Sequence, residues 1–378
     1  MRTTRAMTRR ELLAMAGSAA LLRGNTAPAP PVSIAKCASY KEDITAILST
    51  MFDQLGGAGG IVRNKTVTIK LNLTGSPALR FQGRPLGVTH YTHPKTVAAM
   101  LHVLDRAGAR RIRLVESCWG TAGPLEEYML DSGWNVRGLE SITSKVEFEN
   151  TNAVGKAKKY SRLKVPGGGL IFPAYELNHS YEETDVFMSM AKLKNHDTCG
   201  VTLAMKNCFG ITPASVYGDD AGVDEPNESP GTGRVDTCHF GKRQPSRAAL
   251  PELDPSSSRE PGYRMPRITA ELAAARPIDI AFVEGIETIA GGEGPWIKGI
   301  RPVRPGVLIL GTNGVATDTV ATAVMGYDPA AGRGAAPFQN CDNTLKLAES
   351  LGAGSADLKR IEVRGIPIDQ ARFPFAGA

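Results

Sequence analysis

No two of the six cysteines are spaced as CxxC; Cys37, Cys118, Cys199, Cys208, Cys238 and Cys341 lie scattered through 378 residues. Zinc ribbons and ferredoxin-type clusters need closely spaced thiolates, so this spacing argues against either and makes separate buried thiols the expectation. Cys199 and Cys208 could pair in an oxidising compartment, a point the sequence leaves open. Other signatures are missing too: there is no GxSxG elbow, no HExxH and no Walker lysine loop. His90 and His93 of "HYTH" stand three apart, but only one of them suits the helix that comes next. Beyond the N-terminal segment no apolar run approaches the ~20 residues that span a bilayer. A true excess of positive charge is also lacking. The formal charge is +6, but residues 1–27 hold five arginines against Glu11, so 5 − 1 = +4 sits there and +2 remains for the body. A nearly neutral body argues against a general polyanion binder and against nucleic acid as a partner.

The basic head has its own meaning. "MTRRELLAMAGSAALL" places Arg9 and Arg10 before a short Ala/Leu/Gly stretch, which resembles a twin-arginine export signal. Residues 1–29 are therefore read as signal and linker, with cleavage near Ala27 or Ala29 or retention as an anchor. The expectation is a periplasmic or extracellular protein, exported already folded by the twin-arginine machinery. Export in folded form allows a cofactor loaded beforehand without naming one.

From Ile34 the body alternates helix and strand signals. "DITAILSTMFDQLGG" has helical apolar spacing and "TVTIKLNL" is a β-branched strand. "HPKTVAAMLHVLDRAGA" reads as a helix opening at Pro94, and "RIRLVES" as the next strand, which completes a βαβ unit. Later strands are "TDVFMSMAKLK", "PIDIAFVEGI", "GVLILGTN" and "LKRIEVRG"; later helices are "RITAELAAA", "GVATDTVATAVMG" and "NTLKLAESLG". Residues 217–267 are Pro-, Ser- and charge-rich, without periodicity, and are expected to be a functional lid or a disordered excursion. The fold class is α/β: a largely parallel or mixed sheet flanked by helices, with room for two lobes and one long irregular insertion.

Polar residues gather where core residues would be expected. In "MAKLKNHDTCGVTLAMKNCFG", Lys192, Lys194 and His196 alternate on an extended segment and should point to one side. Thr202 and Lys206, four apart, would share a helix face ending near Asn207 and Gly210. Converging ammonium, imidazole and carboxamide groups suit a carboxylate or phosphate, and a lysine of lowered pKa could act as base or nucleophile. Lys70 and Asn72 end one strand, Glu116 ends the next, and His93 starts the intervening helix as a cap or a ligand-facing group. Glu284 ends a later strand before Gly291, Gly292 and Gly294, whose spacing and subsequent "PWIKG" do not make a dinucleotide fingerprint. Asp318, in the first turn of its helix, suits the helix dipole whatever the function.

The ordered set of these segments resembles the DUF362 family from about Val67 to Pro329, and residues 34–378 are taken as one such domain. The most specific piece is K-x-K-x-H and then T-x-x-x-K-N-x-x-G, here Lys192, Lys194, His196, Thr202, Lys206, Asn207 and Gly210. The resemblance implies a functional lysine cluster without supplying a reaction. Some relatives carry an appended iron–sulfur segment, and the cysteine spacing here departs from it. The reading is thus a cleft for a small anionic molecule. Lys192, His196 and Lys206 are the catalytic candidates. Lys70, Asn72, His93, Lys194, Thr202 and Asn207 are the binding candidates, with Glu116 and Glu284 as opposing carboxylates able to ligate a hard cation such as magnesium. The alternatives are a non-catalytic cofactor-binding or redox-accessory protein exported in folded form, and a partner-binding protein that uses the insertion.

Overall fold

Alternating side chains along the central strands set the architecture. The computed structural model describes residues 29–222, 227 and 229–376, so the arginine pair of the export signal lies outside the described residues. Strand β1 (Ala29–Lys36) leads into helix α1 (Ile44–Gln54), β2 (Thr66–Lys70), α2 (Pro94–Arg106), β3 (Arg111–Glu116), α3 (Leu125–Asp131) and β4 (Val146–Asn150). Next come β5 (Val186–Lys192), a hairpin of β6 (Lys194–His196) and β7 (Gly200–Thr202), and the one-turn helix α4 (Ala204–Asn207). After the insertion come α5 (Pro261–Ala275), β8 (Ile280–Gly285), β9 (Val307–Gly311), α6 (Gly314–Val324), α7 (Thr344–Ser350) and β10 (Ile361–Gly365).

Eight of these strands form one sheet in the order β10-β1-β9-β8-β5-β2-β3-β4. Only β9 opposes its neighbours; the other pairs are parallel. The two lobes for which the sequence left room are joined in this sheet, because β5 and β8, from either side of the insertion, are hydrogen-bonded neighbours. Val186, Met188 and Met190 of β5 face α1 and α2, whereas Phe187 and Ala191 face α5 and α6. Burial on both faces explains why "VFMSMA" reads as continuously apolar rather than alternating.

Two boundaries differ from expectation. The Pro-rich stretch read as linker already belongs to β1, and the pairing with β10 shifts register between Ala29 and Val32, where Pro30 and Pro31 have no N–H to donate. Helix α5 begins at Pro261, earlier than the "RITAELAAA" stretch read as its extent, and contains Pro266. A proline inside a helix leaves the carbonyl four residues earlier without a partner, and here the N–H of Asp342 donates to the Gly262 carbonyl at 2.9 Å.

The same parity removes three residues from the expected cleft. Lys192 and Glu284 are paired across β5 and β8 on the α1/α2 side of the sheet. The Lys192 Nζ lies 2.7 Å from Glu284 Oε1 and also donates to the Gly87 carbonyl at 2.5 Å and to the Tyr40 hydroxyl at 3.0 Å. Tyr40 and the backbone N–H of His93 donate to the same carboxylate. His93 caps α2 by accepting the Lys95 N–H and stacks on Tyr40 with ring centroids 3.6 Å apart. Burial lowers its imidazole to about 3, so the ring is neutral, as a cap requires. Lys192 is therefore a structural cation, Glu284 its counterion and His93 a helix cap. Lys192→Met should cost about 3 kcal/mol in chemical denaturation, because it strands a buried carboxylate; Lys192→Met/Glu284→Gln should recover part of that loss.

Candidate functional site

Strand order reverses at β2, which has β3 on one side and the later β5 on the other. Crevices beyond the carboxyl ends of parallel strands form at such points. A cavity of about 400 Å³ lies here, lined by Lys70, Asn72, Glu116, Lys194, His196, Thr202, Lys206 and Asn207. Eight of the eleven residues singled out from sequence thus come together, and Lys192, His93 and Glu284 do not.

The floor is an ion pair. Lys70 Nζ lies 2.5 Å from Glu116 Oε1 with both side chains almost fully buried. Glu116 also accepts the Leu73 N–H at 2.8 Å and the Ser117 N–H at 3.0 Å, and Lys70 donates to the Leu71 carbonyl at 2.6 Å. Asn207 is held by the Ser189 hydroxyl at 3.0 Å and lies 3.4 Å from Lys70 Nζ. Gly210 lets the turn after α4 close over this pair: a Cβ there would sit 2.8 Å from Lys70 Nζ and 3.0 Å from Glu116 Oε1. Among the described residues the buried Asn72 Oδ1 has no hydrogen-bond partner.

The walls are cationic. Beyond Lys192 the chain leaves the main sheet at Leu193, and the β6–β7 hairpin re-aims residues 194–202. Lys194 Nζ donates to the carbonyls of His90 (3.0 Å) and Glu293 (3.1 Å), and burial lowers its pKa to about 7. Thr202 lies opposite Lys194 in the hairpin, not on a helix with Lys206 as the spacing suggested. Lys206 stands on α4, whose first two N–H groups, of Ala204 and Met205, each donate to Asp318 at 2.8 Å. Asp318 therefore caps another element rather than serving its own helix dipole. The Lys206 ammonium is held below its ordinary range by burial. It lies over the face of Phe209, 4.3 Å from the ring centre.

His196 is held as a neutral ring at the cavity wall. Its Nδ1 accepts the Thr198 N–H at 3.2 Å, which leaves the proton on Nε2. Burial keeps the ring neutral, and Glu293, 3.9 Å from Nδ1, is too far for a hydrogen bond.

The insertion supplies residues that sequence reasoning missed. Arg234 and His239 line the cavity beside Trp119, Phe209, Glu293 and Trp296. Arg234 donates to the Ser117 hydroxyl at 3.1 Å and the Thr212 carbonyl at 3.0 Å. Asp219 accepts the N–H groups of Val235, Asp236 and Thr237, and the buried Arg264–Glu252 pair (2.7 Å) ties this segment to α5. His239 is held near 3 by burial, first of all, and by Lys206. The stretch has no apolar periodicity because polar contacts, not a buried face, fix it. Glu293 lay in a loop read for its glycines, yet none of Gly291, Gly292 and Gly294 lines the cavity.

The carboxylates expected to ligate a cation are otherwise engaged, Glu116 by Lys70 and Glu284 by Lys192. Among the described residues no three His, Cys, Asp or Glu side chains converge as a metal site. All six cysteines are buried and free, Cys199 and Cys208 included. Among the described residues no helix is long and apolar enough to cross a membrane.

Comparison with known proteins places the chain. It is 25% identical over 188 residues to the thylakoid-associated protein sll1697 of Synechocystis sp., a match spanning 49% of this chain and 51% of that one, so the chain spans about half the length of this relative. A crystal structure of a Thermotoga maritima protein aligns with 13% identity and a TM-score of 0.38, over 74% of this chain and 57% of the other. The model of the family described as Domain of unknown function (DUF362) matches residues 67–323, which include β2, β3, β5, α4 and the cavity they build. The chain belongs to the DUF362 family.

Proposed function

We propose that the cavity binds a small molecule through a carboxylate or phosphate group and that the protein acts on it. The observation that carries this reading is the Lys206 ammonium, which among the described residues has a ring face but no hydrogen bond or ion pair. Lys70, Lys194 and Arg234 add three cations, against the two carboxylates of Glu116 and Glu293, so the lining favours an anion. His196 Nε2–H is a neutral donor to the same space. Lys194, half protonated near neutrality, is the group suited to carry a proton to or from the bound molecule. Lys192, Glu284 and His93 take no part.

Acetate is a suitable first probe, since its charge is constant above pH 6. In a titration monitored by tryptophan fluorescence, Lys206→Met should weaken acetate binding at least about tenfold with an unchanged denaturation midpoint. Unchanged affinity in that variant would remove the lysine cluster from the reading.

The pH dependence originates in Lys194. Its ammonium is present below about pH 7 and is lost as pH rises through that value, so anion affinity should fall between pH 6 and pH 9. Calorimetry in buffers of different ionisation heat should show proton uptake on binding near pH 7.5. Lys194→Met should flatten the profile.

We also propose export by the twin-arginine route, which rests on Arg9, Arg10 and the short apolar stretch after them. Arg9→Lys/Arg10→Lys should retain the full-length chain in the cytoplasm when fractions are compared by immunoblot. Equal export of both forms would refute the assignment.

A further inference from the structure

The rim of the cavity differs from its interior. Among the described residues six large hydrophobic side chains are exposed: Leu79, Trp119, Leu130, Val235, Leu253 and Trp296. Four of them, Leu79, Trp119, Val235 and Trp296, line this one cavity. Scattered single apolar residues need no explanation, but their concentration around a cationic pocket does.

Backbone shape seats both indoles. A Cβ on Gly75 would lie 2.5 Å from the Trp296 ring and one on Gly294 would lie closer still, so Trp296 rests directly on glycine backbone. Gly75 has φ +77°, a conformation that itself favours glycine. Trp119 rests against Gly233 of the insertion, where a Cβ would be 3.5 Å from its Nε1. Trp296 Nε1 donates to Glu293 Oε1 at 3.0 Å, which fixes the ring at the edge of the charged interior. Deeper in, the Phe209 ring underlies Lys206, and Arg234 stands 5.2 Å from its centre.

We propose that the ligand of this site is an aromatic carboxylate or phosphate. Its anionic group meets Lys206, Lys194 and Arg234, and its flat apolar body lies along Trp119 and Trp296 with Leu79 and Val235 at its edges. This deepens the anion reading and rests on it. The volume leaves room: a bare acetate or phosphate fills a small part of about 400 Å³, and a bicyclic body also fits. Ring faces are what aromatic ligands use, at a gain of up to about tenfold for each stacked pair.

The test is calorimetric titration of the full chain with acetate, octanoate and 2-naphthoate. Naphthoate should bind at least about tenfold more tightly than either of the others. Trp119→Ala/Trp296→Ala should erase that preference, so that naphthoate binds no more tightly than octanoate, with an unchanged denaturation midpoint. Lys206→Met should weaken all three alike. Octanoate binding as tightly as naphthoate, or a preference that survives loss of both tryptophans, would overturn the aromatic assignment and leave the anion site standing. If neither the three carboxylates nor inorganic phosphate, titrated in the same way, binds the unmodified protein, the anion reading fails, and this one with it.

Discussion

The cavity is assembled on the buried ion pair between Lys70 and Glu116. Taking two charges out of water costs several kcal/mol per ion, and burial is tolerable only when the remaining donors and acceptors are satisfied. Here the Leu71 carbonyl, the Leu73 and Ser117 N–H groups and the Asn207 carboxamide meet that need, and Gly210 leaves space for the turn that covers the pair. Each partner ends a neighbouring parallel strand, so the pair also fixes how the loops after β2 and β3 diverge. The opening between those loops and the hairpin after β5 is the pocket.

A second buried pair, Lys192 with Glu284, has the opposite consequence. It closes the α1/α2 side of the sheet, gathering Tyr40, Gly87 and His93 around one carboxylate. Two pairs of the same chemistry therefore divide the carboxyl edge into a sealed side and an open side. Among the described residues Lys194 and Lys206, on the open side, have no carboxylate partner of their own, and Arg234 of the insertion joins them there.

Most of the fold was legible because its signals are local. Periodicity and Pro94 define α2, and the continuous apolar runs define β5, β8 and β9 as strands covered on both faces. Lys194, His196 and Lys206 of the lysine motif and the strand-end residues Lys70, Asn72 and Glu116 line one cavity. What failed depended on tertiary geometry. The break at Leu193 separates Lys192 from Lys194, although the spacing K-x-K-x-H puts them on one side of an ideal strand. Thr202 is in a hairpin because Gly200 and Thr202 pair with the preceding segment, a contact no helix spacing can express. Arg234 and His239 were hidden in a stretch ordered by Asp219, Arg264 and Glu252 through side-chain contacts distant in sequence. Asp318 was visible as an acid but not as the cap of α4.

The open side of this edge is proposed to be an anion site organised around Lys206. Its most direct test is an anomalous difference map from crystals of the protein soaked in bromide. A strong peak is expected inside the cavity, within contact of Lys206 Nζ and the donors of Lys194, Arg234 or His196. Bromide bound elsewhere on the protein, with no peak in the cavity, would contradict it.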